Sequence, residues 1–307
     1  MNNTYIKDAM KICVIVVTFN RKDLLKKCIS SLRNQSVPLS DIIVVNNGCT
    51  DGTKDWLEEQ SDLISLHQQN LGGAGGFYAG MHYCYERKVQ YDWFWLMDDD
   101  VRPHPDCLEK LLANIENNIG ILVPVRYQRD NLFICEHKRL NYSNPFGKRL
   151  LEKVRPEELS NKVDVQCATF EGPFIKRDVI TAIGFPTKEL FIFNDDVEYS
   201  YKAIKAGFRI TMIPEAKMER EYIAPQERYK LLWRLYYMTR NLVYLDRVYG
   251  QNWLVKYIRP IIGLLKFLII SIPMEIIIKR MPLVTLQRIP VYIGAFYNGM
   301  LLRLKPF

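Results

Sequence analysis

Three consecutive aspartates, Asp98, Asp99 and Asp100, end the apolar run Trp93 to Met97 and give way at once to Val101. Carboxylates that close repel one another and raise each other's pKa. A divalent cation offsets that repulsion directly, since hard carboxylate oxygens suit Mg2+ or Mn2+ and a diphosphate can supply further oxygens. A solvated turn with no cation is the plainer alternative, because D-x-D alone is a weak pattern. Position gives it weight: ligands of parallel α/β sheets bind beyond the carboxyl ends of strands.

Two further stretches carry residues able to do chemistry. In "NLGGAGGFYAGM", Gly72, Gly73, Gly75 and Gly76 remove side chains where a backbone must come close to something. A helix starting there would present amides and a dipole to an anion. The dinucleotide fingerprint is excluded, because from Gly73 its third glycine would fall on Tyr78 and the stretch follows a third strand instead of a first. Tight packing is the competing reason for the same glycines. In "FNDDVEYSYKAIKAG", Asp195, Asp196 and Glu198 gather at a helix start, where the dipole stabilises acids. A catalytic base facing a cleft would occupy the same kind of place.

The elements that position these residues alternate in βα fashion. "ICVIVVT", "DIIVVNN", "LISLHQ" and "YDWFWLM" read as strands, separated by helical stretches such as "KDLLKKCISSLRNQ". "IGILVPV" and "FRITMI" add later strands, and the stretch from Arg126 to about Lys162 reads as a surface excursion. The fold expected is α/β, with a mostly parallel, doubly wound sheet. Gly207 supplies a C-cap signal after the "DVEYSYKAIKAG" helix.

Composition narrows the partners. The seven cysteines are scattered and odd in number, with no C-x-x-C pair, and "MNNTYIKDAMK" lacks a signal-peptide pattern. A reducing cytosol without disulfides or a zinc site is the expectation. The net charge of +8 is uneven: Trp253 to Phe307 holds eight Lys or Arg against one acid, leaving 34 basic and 33 acidic residues elsewhere. Nucleic-acid binders spread positive charge over the main fold, so no nucleic-acid partner is expected. Here the charge sits on the most apolar stretch, which suits anionic lipid. The uncharged runs Phe267 to Met274 and Ile289 to Leu302 fall short of about 20 apolar residues, so an in-plane amphipathic region is expected instead of a span. A helical cap on the domain or on a second subunit is the alternative. Residues 1–225 are read as the catalytic domain and 226–307 as a helical, membrane-associating appendage.

Taken together, "VVTFNR", "VVNNGCTDGT", "NLGGAGGF", "WLMDDDV", "FEGPFIKRDVITAIGFP", "FNDDVEYSYKAIKAGF" and "YYMTRN" resemble the family 2 glycosyltransferases, which have a GT-A fold. The likeness runs from about Ile12 to Leu245 and is nearest to the bacterial galactofuranosyltransferases, with rhamnosyltransferases next. It implies that Thr18, Phe19 and Arg21 border the nucleotide, that Asn70, Gly72 and Gly73 lie along the diphosphate, and that Asp98 and Asp99 face the ribose or sugar. Asn46 stands where the family usually has an Asp that reads uracil, and an amide can both donate and accept there. Asp98 and Asp100 would hold Mg2+ or Mn2+. Asp196 matches the general base that deprotonates the acceptor hydroxyl in an inverting displacement.

The likeness also implies a UDP-galactofuranose donor, with dTDP-rhamnose as the alternative, and the basic, apolar C-terminal region points to a lipid-linked cell-surface glycan as acceptor. The place of action would be the cytoplasmic, inner face of the membrane, peripherally bound, with self-association left open. One departure stands out. Galactofuranosyltransferases of this type often carry a metal-binding His where this chain reads "MIPEAKMERE". Glu219 or Glu221 is left as a substitute, or the aspartates and diphosphate act alone. A phosphoryl- or nucleotidyl-transfer enzyme would also use clustered aspartates and Mg2+, but it would place D-x-D after the first strand. A non-catalytic sugar-nucleotide-binding scaffold is the third reading, and the retained base position argues against it.

Overall fold

The computed structural model describes residues 10–221, 232–279 and 282–307. The strands run β1 Ile12–Thr18, β2 Asp41–Asn46, β3 Leu63–His67, β4 Trp93–Asp98, β5 Val101–Pro103, β6 Ile119–Gln128, β7 Asn131–Phe133, β8 His137–Leu140, β9 Leu150–Lys153, β10 Val163–Val165, β11 Phe174–Lys176 and β12 Arg209–Arg220. Between them lie helices α1 Lys22–Arg33, α2 Thr53–Glu58, α3 Gly72–Glu86, α4 Cys107–Ala113, α5 Arg177–Ile183 and α6 Asp195–Lys205. The chain divides into two compact units. The first takes in the described residues of Met1–Arg139, Glu152–Lys188 and Asp195–Tyr222.

The main sheet of this unit has the order β10-β12-β6-β11-β4-β1-β2-β3. Its β4-β1-β2-β3 half is wholly parallel, as continuous buried runs demand. Along β1, Cys13, Ile15 and Val17 enter one apolar cluster, while Ile12, Val14 and Val16 enter the other. The period of two thus buries both faces of the sheet, under α3 on one side and under α1 and α4 on the other. The remaining half is mixed. β11 is antiparallel to both β4 and β6, whereas β12 runs parallel to β6. The sheet is therefore a mixed one, less parallel than the βα alternation of the first hundred residues suggests.

The stretch after Arg126 is not a surface excursion throughout. Arg126 and Glu136 are each 1% exposed and form an ion pair. A charge this deeply buried is tolerable only with its partner beside it, a condition that periodicity in a sequence does not reveal.

The second unit comprises Leu140–Leu151, Glu189–Asn194 and the described residues of Ile223–Phe307. Two of these segments precede the boundary drawn near Pro225, a residue outside the described ones. Helix α7 spans Leu232–Tyr249, α8 Leu254–Ile277 and α9 Pro282–Met300. Arg259, 4% exposed, donates to the carbonyls of Asn141, Asn144 and Gly147 and pairs with Asp246. On α7, Arg240 donates to the carbonyls of Glu189 and Leu190, and the Asn241 amide to those of Leu190, Ile192 and Phe193. Those bonds hold a loop in which Phe191, Phe193 and Asn194 all have left-handed φ angles of 63–68°. Such a conformation persists only where surrounding contacts over-determine it.

Helix α8 is 24 residues long and holds an 18-residue stretch with a mean hydropathy of 2.0, enough by length and composition to cross a membrane. Uncharged runs understate it, because the helix continues through Lys256, Arg259 and Lys266 by way of π-turns at Leu254–Ile258 and Phe267–Ser271. Ile261, Leu265, Ile269, Ile270, Met274 and Ile277 are exposed along it.

Candidate active site

Strands β1 and β4 lie side by side, with Val17 opposite Asp98, so the residues that follow each strand meet at one sheet edge. Thr18 Oγ1 donates to Asp99 Oδ2 at 2.7 Å. Arg21 Nη1 reaches Asp99 Oδ1 at 3.2 Å and Asp100 Oδ2 at 3.3 Å. Both oxygens of Asp99 are therefore spent on holding the loop after β1, whereas Asp100 gives it only Oδ2. Burial, then repulsion from Asp100, Glu171 and Asp99, pushes Asp98 well above the usual carboxylate range. Asp100 is pushed up to about 6, by burial first and then by Glu171, with Arg220 and Arg21 opposing.

Asp100 Oδ1 is buried and has no hydrogen-bond partner among the described residues. An orphaned buried carboxylate oxygen is expensive, and a hard cation is the group that would satisfy it. Asp98 and Asp100 thus fit a Mg2+ or Mn2+ ion that takes its other ligands from water and a diphosphate. No set of three His, Cys, Asp or Glu among the described residues could hold one.

The structure does not bring Glu219 to these aspartates. Its Oε1 lies 3.5 Å from His104 Nε2. Neighbouring strand residues point to opposite faces, and it is Arg220, next along β12, that turns to Glu171. Glu221 is held by Lys27 at 2.9 Å and Arg102 at 2.7 Å.

Glu171 links the two acid clusters. Its Oε2 accepts from Arg126 Nη1 at 2.8 Å and from Arg220 Nε at 3.0 Å, and Arg126 also bonds Thr169 and Glu136. Gly172, with φ +105°, lets this segment press on the sheet, since a Cβ there would lie 2.4 Å from Met218 Sδ. The Gly172 carbonyl accepts the Trp95 indole N–H at 2.9 Å. Arg126 and Glu171 stand 45 residues apart in the chain. Their pairing had no sequence signal.

Asp196 sits in the first turn of α6. Its Oδ1 accepts the Val197 N–H at 2.7 Å. Burial raises its pKa to about 6; the Val197 bond and Arg126 work against the rise, and Glu171 adds to it. Asp195 is pushed up to about 8 by burial and then by Asp196. Glu198 is 2% exposed and accepts the Thr187 hydroxyl at 3.0 Å. Of the three acids, Asp196 combines a free second oxygen direction with a pKa suited to taking a proton near neutrality.

The residues expected along the nucleotide form a connected rim. Phe19 is 43% exposed beside Asn20, whose left-handed φ of 51° is fixed by its own Oδ1 accepting the Thr50 N–H at 2.7 Å. Asn46 accepts the Cys49 N–H at 2.8 Å through Oδ1, while its amide lies 3.2 Å from His67 Nδ1. Asn70 Oδ1 accepts the Gly72 N–H at 2.9 Å. The hub missed in the sequence is Asn47, 2% exposed, which donates to the Gly72 carbonyl at 2.9 Å and accepts the Leu71 N–H at 3.1 Å.

The glycines divide by job. A Cβ on Gly76 would lie 2.4 Å from Val17, and one on Gly80 2.3 Å from Ile15, so both let α3 press on β1. Gly73 has open space where its Cβ would be, as a ligand-facing position requires.

Residues 13–177 match the family model described as Glycosyl transferase family 2. Galactofuranosyltransferase GlfT1 of Mycolicibacterium smegmatis is 27% identical over 206 residues, 64% of this chain and 66% of that protein. The chain therefore matches just under two thirds of that relative's length. The dTDP-rhamnosyl transferase RfbF of Shigella flexneri is 27% identical over 214 residues, 67% of this chain and 68% of that protein. Among solved structures, GalNAc-T7 with UDP, GalNAc and Mn2+ superposes with a TM-score of 0.59 at 13% identity, over 78% of this chain and 48% of that one, a likeness of fold alone. The matched region spans more than half of the 307 residues, and the chain belongs to glycosyl transferase family 2, an enzyme with the GT-A fold.

Proposed function

We propose that this glycosyltransferase is inverting and metal-dependent, and that it moves galactofuranose from UDP-galactofuranose to a hydroxyl of a lipid-linked cell-envelope glycan at the inner face of the membrane. The observation that carries the chemistry is a pairing within the first unit. The strand-end acids Asp98 and Asp100 and the helix-start acid Asp196 all feel the charge of one residue, Glu171. That arrangement supports a leaving-group site and a base site served by a common ion network.

Asp196 takes the acceptor hydroxyl proton on the oxygen not engaged by Val197. The resulting oxygen attacks the anomeric carbon as the bond to the nucleoside diphosphate breaks, so the configuration inverts. A Mg2+ or Mn2+ ion on Asp98 and Asp100 would supply positive charge beside the departing diphosphate. Thr18 and Arg21 hold Asp99, and through it the strand edge, while the open backbone at Gly73 lets the diphosphate approach. Asn46 and Asn70, with Gly72, form the rim on the nucleotide side. A diphosphate leaves without protonation, so no second carboxylic acid is required, unlike glycoside hydrolysis.

The galactofuranosyltransferase relative supports the sugar and the rhamnosyl relative supports the alternative, dTDP-rhamnose. The exposed apolar side of α8 and the basic excess after Trp253 support the membrane surface. A donor screen with purified protein tests the reading. UDP release from UDP-galactofuranose, dependent on Mg2+ or Mn2+ and on an added glycan acceptor, is the expected result. Release of dTDP from dTDP-rhamnose alone would move the assignment to the rhamnosyl class.

A further inference from the structure

Within the second unit, α7, α8, α9 and Arg149 line a half-open pocket of about 430 Å³. That volume is in the range of pockets that hold small ligands. Its lining joins two chemistries. Leu235, Met238 and Leu242 on α7 give an apolar wall, and Arg149, Arg234 and Arg288 place three guanidiniums on the same cavity.

Arg149 pairs with Asp246, which is fully buried and shared with Arg259. Arg288 pairs with Glu275. Among the described residues, the three guanidiniums of Arg149, Arg259 and Arg288 thus share two carboxylates, while Arg234 lies over the rings of Phe193 and Trp233. Arg288 Nε is buried without a hydrogen-bond partner among the described residues. An unmet buried donor on a cationic group is costly, and an anion would meet it. Space is available as well. A Cβ on Gly263 would have only the Tyr292 hydroxyl, 3.6 Å away, as a neighbour.

We propose that this cavity binds the phosphate or diphosphate group of an amphiphile whose apolar chain lies along the α7 wall. Guanidinium forks match phosphate oxygens in bidentate fashion, and the leucine and methionine side chains suit hydrocarbon. The inference rests on the reading above that the acceptor is lipid-linked, and it assigns the part of the chain that grips the lipid end of that acceptor.

The full chain in nonionic detergent would be titrated calorimetrically with farnesyl diphosphate, inorganic diphosphate, farnesol and UDP. Farnesyl diphosphate should bind at least tenfold more tightly than inorganic diphosphate or farnesol. Arg234→Gln and Arg288→Gln should each weaken it fivefold or more, and Leu242→Trp, which fills the cavity, should do the same without removing a charge. UDP binding should stay unchanged in all three variants, which also serves as the folding control. Equal binding of inorganic and farnesyl diphosphate would overturn the lipid part of the proposal, and unaltered farnesyl diphosphate binding in Leu242→Trp would overturn the site. The acceptor reading fails separately. If the variants lose farnesyl diphosphate while wild type extends lipid-free glycans as well as lipid-linked ones, the site stands and the lipid-linked acceptor does not.

Discussion

Two acid clusters in this chain, at the end of β4 and at the start of α6, look alike in sequence and are settled by different physics. At Asp98 to Asp100, side-chain partners decide. Thr18 and Arg21 claim Asp99, Arg21 also touches Asp100, and one buried oxygen of Asp100 is left with no donor among the described residues. At Asp195 to Glu198, backbone and burial decide. The Val197 N–H holds Asp196, Asp195 is driven to about 8, and Glu198 takes the Thr187 hydroxyl. A cluster short of positive charge invites a cation. A cluster held at a helix start with one acid near pH 6 is prepared to accept a proton instead.

The largest expected effect separates the clusters by function. Asp196→Asn should lower the transfer rate about 10²–10⁴-fold, the range ascribed to a positioned general base. Donor affinity measured by calorimetry should stay within about twofold, because no described contact ties Asp196 to the nucleotide rim. Near-normal turnover in this variant would remove Asp196 from the mechanism.

Next in size is a contrast inside the β4 cluster. Asp100→Asn should abolish cation-dependent donor binding, while Asp99→Asn should act through stability by loosening Arg21 and Thr18. The metal-free protein offers a sign test. Folding raises the pKa of Asp100 from 3.8 to about 6, so the folded state binds more protons between those values. Its contribution is therefore favourable below about pH 4 and is lost as pH rises through 6. In EDTA, Asp100→Asn should raise Tm at pH 7 by roughly 2–4 °C, the response to about 1 kcal/mol in a domain of 150–250 residues. At pH 4 the gain should vanish, and added Mn2+ should reverse the order at pH 7. A Tm advantage that is the same at both pH values would disprove the charge argument.

A smaller effect tests the residue between the clusters. Glu171 raises the pKa of both Asp100 and Asp196. The acid limb of kcat at saturating donor should therefore lie near pH 6 in the wild type, with activity rising as Asp196 loses its proton. In Glu171→Gln the limb should move to lower pH, because one repelling charge is gone and Arg126 and Arg220 are released from it. An unmoved limb would show that Glu171 and Asp196 are not electrically linked.

The comparison also marks what could be read from residues alone. The buried runs of β1, β2 and β4 announce themselves because both faces of a parallel sheet are covered, and "DVEYSYKAIKAG" forms its helix with Gly207 at φ +92° beyond it. Strand ends after such runs are where the aspartates stand, so much of the site's outline was legible. What was not legible depends on distant partners. Arg126 and Glu136 read as solvated charges until the fold pairs them. "LFIF" is a short apolar segment in the sequence, yet the Asn241 amide, some fifty residues on, holds the backbone there in left-handed turns. The glycines of α3 could be counted but not sorted, since only the packing of Val17 and Ile15 separates Gly76 and Gly80 from Gly73.

The smallest expected effect concerns the histidine missing from "MIPEAKMERE". If Glu219 replaced it as a metal ligand, Glu219→Gln would cost at least tenfold in cation affinity, the range seen even for supporting residues of metal sites. The structure argues for less. Glu219 faces His104 at 3.5 Å and is 31% exposed, so solvent screens whatever charge it adds. Glu221 is already committed to Lys27 and Arg102. With two carboxylates from the chain and the rest of the coordination from diphosphate and water, affinity should depend on the nucleotide. The Mn2+ concentration for half-maximal activity in Glu219→Gln should therefore stay within about twofold of wild type. Direct Mn2+ binding followed by electron paramagnetic resonance should tighten strongly on adding UDP, in the variant as in the wild type. A UDP-independent site lost in Glu219→Gln would reinstate the carboxylate as the histidine's substitute, and would mean that β12 turns over when the cation binds.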